Sequence, residues 1–248
     1  MKRKLVAALA CRNNGSRLYA KPLQNLDANV TILSQIISCV KTVDCIDSIV
    51  LGISEGIENK IFSDVAKDAN IDYIYGNEVD VLHRLILCGD KANATDIFRI
   101  TSESPFPNFD MIDKGWEKHV SGNYDATFLD EVIDGCGFEF IKLSALKESH
   151  SKGDDRHRSE MCTLYVRENK MDFNLAYIKP VPELVRKDLR LTVDNPEDLI
   201  VCADIYKKFR HLAPLILLTE VVKYLDENPK LVKLISPYCE VGYKTMYL

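Results

Sequence analysis

The chain has 248 residues, of which 46% are hydrophobic and 28% are charged, and its formal net charge is −5 at pH 7. Disorder is excluded as the global state, because disordered chains carry too few apolar groups to form a core. The mildly acidic balance argues against a dedicated nucleic-acid-binding protein, which usually presents a basic surface. No apolar run approaches the ~20 residues of a membrane span, so we expect neither nucleic acid nor a membrane as a partner.

The N-terminus and the cysteines indicate a cytoplasmic protein. Lys2, Arg3 and Lys4 precede a short apolar stretch and Cys11, which is similar to a lipoprotein signal. The stretch is shorter than the ~7–15 residues of a signal core, so we interpret residues 5–10 as a buried strand. The eight cysteines show neither Cys-x-x-Cys nor zinc-ligand spacing. Most lie in apolar segments, which favours buried, reduced thiols.

The first half of the chain alternates apolar runs with amphipathic segments. The predicted strands span 5–10, 48–53, 71–75 and 96–101, and the predicted helices span 31–43, 57–69 and 81–92. This alternation predicts an α/β fold built from right-handed βαβ units around a doubly wound, mainly parallel sheet. Such sheets bind ligands at the carboxyl ends of their strands. The loops after Ala10, Tyr75 and Thr101 are therefore the first candidates for a site.

The second half is less regular. Predicted elements are a helix over 160–168, strands over 173–178 and 189–193, a helix that starts at Pro196 with Asn195 as its N-cap, and an amphipathic helix over 218–235. We interpret residues 149–158, which include His157 and Arg158, as a solvated charged loop. We expect one domain over 1–248, with 211–248 as a C-terminal helical appendage.

The segment that follows the first strand carries the most chemistry. Arg12, Arg17 and Lys21 surround asparagines, a glycine and a serine in this segment. Exposed backbone N–H groups, small side chains and three cations suit a triphosphate. Neither GxxxxGK[ST] nor GxGxxG is present, and the lack of the second argues against a dehydrogenase. The alternative is a solvated polar loop without a ligand.

Six ordered blocks of the chain resemble the sugar-acid cytidylyltransferases. They are 9–23 (LACRNNGSRLYAKPL), 75–84 (YGNEVDVLHR), 99–106 (RITSESPF), 134–139 (DGCGFE), 160–169 (EMCTLYVREN) and 189–199 (LRLTVDNPEDL). The last is similar almost letter for letter to the family's R-L-T-V-D-T-P-E-D-L. The resemblance is strongest to the spore-coat-polysaccharide-type branch, which is related to the 3-deoxy-manno-octulosonate and acylneuraminate cytidylyltransferases. It implies a nucleotidyltransferase-like fold.

The resemblance also implies roles for individual residues. The nucleotide-binding residues it implies are Ala10, Cys11, Arg12, Asn14, Gly15, Ser16, Arg17, Lys21, Gly76, Asp80, Arg84 and Ser102. Arg12 and Lys21 would be catalytic, because they would neutralise the triphosphate and the departing pyrophosphate. Glu103 and Asp194 would hold Mg²⁺ or Mn²⁺. The acceptor-binding residues it implies are Glu139, Glu160 and Tyr165.

The implied reaction is transfer of CMP from CTP to a 2-keto sugar acid, with release of pyrophosphate, for surface polysaccharide biosynthesis. The implied assembly is a homodimer. The chain departs from the family at several positions. Asn14 replaces the first glycine of the loop, which requires either a left-handed conformation or lost backbone freedom. Ser102 and Glu103 replace Gly-Asp, and Gly137, Met161 and Leu164 replace an acidic residue, a histidine and a proline.

These departures leave two alternatives open. The acceptor could be a phosphorylated small molecule, which would give a CDP-linked product, or the protein could bind the nucleotide without turnover. Three of the acidic candidates also have a purely structural interpretation. Asp194 could form an Asx-type helix entry, Glu103 could be an exposed turn residue, and Glu139 could lie on the solvent face of a strand.

Overall fold

The computed structural model describes residues 3–15 and 17–246. The strands are β1 (Leu5–Cys11), β2 (Asn25–Asp27), β3 (Val30–Thr31), β4 (Ser48–Ser54), β5 (Asp72–Gly76), β6 (Asp96–Arg99), β7 (Ala126–Phe128), β8 (Glu139–Lys142) and β9 (Leu175–Tyr177). The helices are α1 (Ile32–Val40), α2 (Ile61–Asp68), α3 (Val81–Lys91), α4 (Ile112–Ser121), α5 (Leu143–Lys152), α6 (Leu164–Glu168), α7 (Pro196–Phe209), α8 (Leu218–Glu227) and α9 (Pro229–Met246).

A seven-stranded sheet in the order β5-β4-β1-β6-β8-β7-β9 organises the described residues. β4 and β5 are parallel to β1, as is β6, whereas β8 runs antiparallel to both of its neighbours. β2 and β3 form a separate two-stranded hairpin. The predicted doubly wound, mainly parallel α/β sheet with C-terminal helices is confirmed. Within the residues described, no helix is long and apolar enough to cross a membrane.

The central strand β1 is buried on both faces, which explains its unbroken apolar sequence. Leu5, Ala7 and Leu9 belong to the larger apolar cluster, which also contains residues of α1, α2, α7 and α8. Val6 and Ala8 belong to the smaller cluster, with residues of α3 and α5 on the opposite face. Period-2 side-chain alternation thus supplies both halves of the core from one strand.

The predicted burial of the cysteines is also confirmed. All eight are free thiols, and all except the half-buried Cys45 are buried.

Two predicted elements of the second half are wrong. Residues 189–193 form no strand but an extended segment with a single bridge, between Asp134 and Arg190. The N–H of Leu191 donates to the Asp134 carbonyl (2.7 Å), whereas the N–H of Val193 donates to the Glu103 carbonyl (3.0 Å). Because these hydrogen bonds go to two different loops, no ladder forms. The helix predicted over 218–235 is two helices, since α8 ends before Pro229, which starts α9.

The interpretation of residues 149–158 as a solvated loop is confirmed for the exposed, non-helical residues 154–156 and is wrong at both ends of the segment. α5 continues to Lys152, and His157 is buried. Its Nε2 lies 2.9 Å from Glu168 Oε2, and its ring contacts that of Tyr165 edge-on at a centroid distance of 5.3 Å. The predicted helix over 160–168 is shorter than expected, because only α6 is helical.

The opposite end of the sheet from the candidate site contains a buried polar network, whose disruption we expect to be costly. Asp96 is fully buried at the start of β6; Arg3 Nε donates to it (2.8 Å), and His119 Nε2 lies 3.1 Å away. Asp96→Ala leaves a guanidinium without its carboxylate and should lower the free energy of unfolding by about 3–5 kcal/mol. Urea unfolding measures this. The matched control is Asp64→Ala, which removes an exposed ion pair on α2 and should have no measurable effect; equal losses would contradict the prediction.

Candidate active site

A cavity of about 400 Å³ opens at the carboxyl ends of β1 and β6. Its charged lining consists of the cations Arg12, Arg17, Lys21, Arg99 and Arg167 and the carboxylates Glu103, Asp130, Asp134, Glu139, Glu160 and Asp194. A narrower cavity of about 100 Å³ adjoins it and is lined by Ala10, Arg84 and Ser102, among others. The cavities lie where parallel sheets usually bind ligands.

Lys21 joins the two predicted metal ligands. Its Nζ lies 3.0 Å from Glu103 Oε2 and 2.7 Å from Asp194 Oδ1. Burial lowers the pKa of Lys21, but the charges of Glu103 and Asp194 outweigh it and raise that pKa above its usual value. The structure therefore brings together two carboxylates that are far apart in the sequence, with one ammonium between them.

Asp194 is surrounded by cations. Arg17 Nη2 lies 3.2 Å from its Oδ1, and Arg190 Nη2 lies 2.7 Å from its Oδ2. Burial alone would raise the pKa of Asp194. Lys21, followed by Arg17 and Arg190, outweighs burial, so that the pKa is lowered overall. At Glu103, burial outweighs Lys21, and the pKa of that carboxyl is raised.

Asp198, and not Asp194, is the acid whose carboxylate accepts hydrogen bonds at the entry of α7. Asp198 Oδ2 accepts from the backbone N–H groups of Asp194 (3.0 Å) and Asn195 (2.8 Å) at the start of α7. This contact satisfies N–H groups at the helix entry, as capping side chains do. The carboxylate of Asp194 therefore contacts the cations of the cavity.

The loop after β1 is held from both sides. The N–H of Asn13 donates to Oδ1 of the fully buried Asn59 (2.7 Å), and the Asn13 carbonyl accepts from the N–H of Ala20 (2.8 Å). Asn14 Nδ2 donates to Glu78 Oε1 (2.9 Å). Positive φ at non-glycine residues occurs, among those the structure describes, at Ala20, Asn70, Asn93 and Asn123. Asn14 therefore replaces the family's glycine without a left-handed conformation.

Position 15 requires a glycine because the backbone of Leu18 lies close to its Cα. A Cβ at this position would lie 2.4 Å from the carbonyl oxygen of Leu18, so any side chain would displace the backbone of the loop. Ser16, another predicted nucleotide-binding residue, lies outside the described residues.

Asn59 offers a test of how the loop is positioned. Asn59→Leu keeps the volume but removes the acceptor for the Asn13 N–H, so the loop loses one buried hydrogen bond. The resemblance implies CTP as the ligand of this loop, and on that expectation the Kd for CTP, measured by calorimetry, should rise about tenfold, which corresponds to ~1.4 kcal/mol. Asn70→Leu would strain a left-handed residue remote from the cavity and is the control for stability alone. An unchanged Kd in a folded Asn59→Leu protein would contradict this role.

Three further predicted nucleotide-binding residues, Gly76, Asp80 and Arg84, divide into two groups. Arg84 is buried, lines the narrower cavity, and donates to the carbonyls of Cys11 (3.1 Å) and Gly52 (3.2 Å); burial lowers its pKa. Gly76 and Asp80 lie outside the lining of both cavities. A Cβ at Gly76 would lie 2.8 Å from Arg84 Cγ, so this glycine makes room for the arginine.

Asp80 and Cys11, two predicted nucleotide-binding residues, are occupied by contacts within the protein. Asp80 Oδ1 accepts from the His83 N–H (2.9 Å) at the start of α3, and its Oδ2 lies 2.8 Å from His150 Nε2. The Cys11 thiol is buried, which raises its pKa to about 12, so it is not a thiolate at neutral pH. Ser102 Oγ donates to the Ala10 carbonyl (2.8 Å), and this contact joins the ends of β1 and β6.

Glu139 forms the centre of a buried ion-pair network in the lining of the larger cavity. Arg99 Nη1 (2.9 Å), Arg167 Nη2 (2.8 Å) and Thr163 Oγ1 (2.9 Å) donate to its carboxylate. Burial raises the pKa of Glu139, but the two guanidiniums outweigh burial and lower it to about 2. The interpretation of Glu139 as the solvent face of a strand is therefore wrong, because the charge is satisfied inside the protein.

Of the other two predicted acceptor-binding residues, one lines the cavity and one does not. Glu160 lines the cavity and lies 3.6 Å from Arg12 Nη2. Tyr165 lies outside the lining and contacts the rings of His157 and Phe173.

Sequence reasoning missed several residues of the site. Arg99 and Arg167 lie within the blocks quoted above, and the position of Arg99 in the predicted strand over 96–101, close to a candidate loop, was an available signal. Asp130 receives both Arg167 Nη1 (2.7 Å) and Nη2 (2.9 Å). Nothing local marks Asp130 or Asn59, because each acts through a partner distant in sequence.

Solved structures of cytidylyltransferases superpose on this chain. No family model matches the chain. A cytidylyltransferase from Leptospira borgpetersenii superposes with a TM-score of 0.83 and 19% identity over 94% of this chain and 97% of that one. A CMP:2-keto-3-deoxy-manno-octonic acid synthetase in complex with CTP superposes with a TM-score of 0.62 and 10% identity over 83% and 99%. The fold is therefore that of the nucleotidyltransferases.

Two relatives are similar in sequence. An uncharacterized protein of Methanocaldococcus jannaschii is 24% identical over 97% of this chain and 98% of its own length. The spore coat polysaccharide biosynthesis protein SpsF of Bacillus subtilis is 24% identical over 62% of this chain and 64% of its own length. Together with the structures, these relatives confirm the resemblance to cytidylyltransferases and to their spore-coat-polysaccharide branch.

The two bridged carboxylates fit a magnesium ion. In the part of the chain that the structure describes, no group of three or more His, Cys, Asp or Glu side chains could hold a metal. Mg²⁺, however, is usually bound by one or two carboxylates together with substrate phosphates and waters. The hard oxygen donors of Glu103 and Asp194, close enough to share one ammonium, match that requirement.

Proposed function

We propose that the protein is a Mg²⁺-dependent cytidylyltransferase that transfers CMP from CTP to a 2-keto sugar acid in surface polysaccharide biosynthesis. The observation that carries the proposal is the contact of Lys21 with both Glu103 and Asp194 in a cavity bordered by the loop after β1. Similarity to a cytidylyltransferase supports the nucleotide, and similarity to a CMP:2-keto-3-deoxy-manno-octonic acid synthetase supports the sugar-acid acceptor. Similarity to a spore coat polysaccharide biosynthesis protein supports the pathway.

In the proposed step, the anomeric hydroxyl oxygen of the acceptor attacks the α-phosphorus in line. The new P–O bond forms as the bond from the α-phosphorus to the oxygen that bridges it to the β-phosphorus breaks, the proton of the hydroxyl passes to solvent, and pyrophosphate leaves. Arg12, Arg17 and Lys21 neutralise the triphosphate and the leaving group, so the protein acts mainly by positioning and charge stabilisation. Mg²⁺ held by Glu103 and Asp194 would supply further positive charge at the phosphates.

The charges of the cavity support the need for a divalent cation. Carboxylates outnumber cations in its lining, six to five. A nucleoside triphosphate adds about four negative charges, which this lining does not balance. A bound divalent cation reduces that excess where two of the carboxylates converge.

A direct assay tests the proposal. The protein is incubated with CTP, Mg²⁺ and a panel of 2-keto sugar acids, pyrophosphate is measured, and the product is weighed by mass spectrometry. We expect pyrophosphate and one CMP-linked product. CTP binding without pyrophosphate for any acceptor would contradict the proposal and indicate a nucleotide-binding protein without turnover.

A second candidate acceptor is a phosphorylated small molecule. Gly137, Met161 and Leu164, the three departures in the acceptor blocks, all line the large cavity. A changed lining favours a changed acceptor. Phosphorylated sugars and alcohols therefore belong in the same panel, because the product mass separates one linking phosphate from two.

The resemblance also leads us to propose a cytoplasmic homodimer. Light scattering of the purified protein tests the dimer, and a mass of about 56 kDa, twice the 28.2 kDa of the chain, is the expected result.

A further inference from the structure

Lys21 lies where a cation would bind. Its side chain is 12% exposed, and its ammonium is within hydrogen-bond distance of one oxygen from Glu103 and one from Asp194. A second cation cannot approach the same two oxygens at ~2.1 Å without strong repulsion from this ammonium. The lysine and a divalent ion therefore exclude each other from this position.

We propose that Lys21 is an internal counter-ion of the nucleotide-free protein, which must leave Glu103 and Asp194 before a divalent cation binds there. This inference rests on the proposed function only in taking the two carboxylates as metal ligands. A triphosphate offers the ammonium another anion, so it weakens the competition. Metal and nucleotide then bind with positive coupling, and each raises the affinity of the other.

The neighbouring arginines make different contacts. Arg190 is 2% exposed and contacts Asp194 Oδ2, the oxygen that Lys21 does not contact. Arg17 contacts Oδ1, but its side chain is 54% exposed and its distance to Asp194 is 3.2 Å. Lys21 alone of these three contacts both acids, so its removal should matter most.

The test measures Mn²⁺ binding without nucleotide, by electron paramagnetic resonance of free Mn²⁺. We expect weak binding to the wild-type protein and at least tenfold tighter binding to Lys21→Met. Arg17→Met is the matched control, because it removes a cation from Asp194 but not from Glu103; we expect less than a threefold change. Adding Asp194→Asn to Lys21→Met should remove the gain.

Mn²⁺ affinity of Lys21→Met equal to or weaker than that of the wild-type protein would overturn the inference. Thermal melts establish that each variant is folded, and Lys21→Gln replaces Lys21→Met if the latter does not fold. The measurement needs no turnover. Failure of the pyrophosphate assay with a positive Mn²⁺ result would therefore overturn the proposed reaction and leave the counter-ion role intact.

Discussion

Asp194→Asn should lower kcat for pyrophosphate release by about 10²–10³-fold, which corresponds to ~2.7–4 kcal/mol of transition-state stabilisation. Asparagine retains the size and one acceptor oxygen, but it lacks the charge that faces Lys21, Arg17 and the proposed metal position. Steady-state pyrophosphate release at saturating CTP measures the effect.

The control for Asp194→Asn is Asp188→Asn. Asp188 pairs with Arg186 on the surface and does not line the cavity, so its loss should leave kcat unchanged. Melting curves of both variants should show one cooperative transition. Activity of Asp194→Asn within threefold of the wild-type value would remove Asp194 from the catalytic site.

Glu139→Gln should destabilise the protein by about 3–5 kcal/mol at pH 7, because Arg99 and Arg167 lose a buried counter-charge. The loss depends on pH. The pKa of Glu139 is lowered to about 2 from its usual 4.5, so its contribution to stability is complete above about 4.5. That contribution declines as the pH falls from about 4.5 towards 2.

Urea unfolding of wild type and Glu139→Gln at pH 7, 5 and 3.5 tests this prediction. The difference in free energy of unfolding should be similar at pH 7 and 5 and smaller at pH 3.5. Glu148→Gln, which removes an exposed pair with Lys152, should show no measurable difference at any of these values. A difference for Glu139→Gln that stays constant down to pH 3.5 would contradict the depressed pKa.

The first half of the fold could be predicted because each element has one regular pattern. The apolar run that contains Leu5 and Leu9 is a central strand, and the helical spacing of Leu82, Leu85 and Ile86 gives α3. Residues 189–193 show the limit of this reasoning. Their apolar alternation reflects burial of Leu189, Leu191 and Val193, but burial alone does not supply a pairing strand.

The site could be predicted only as a set of residue types. The loop after β1 and the acids at 103 and 194 were identifiable from the blocks, but their connection through one ammonium was not, because it depends on a close approach of three separate loops. Likewise, Glu139 is an acid in an apolar segment, and only the three-dimensional fold shows that Arg99 and Arg167 neutralise it. Long-range charge pairing leaves no periodic signal in a sequence.

In the proposed enzyme, a triphosphate binds at the loop after β1 with a divalent ion between Glu103 and Asp194. A crystal structure with CTP and Mn²⁺ tests it most directly, because Mn²⁺ is located by its anomalous scattering. We expect phosphates in contact with Arg12 and Lys21, and an anomalous peak coordinated by both carboxylates. A triphosphate bound elsewhere, or a peak remote from Glu103 and Asp194, would contradict it.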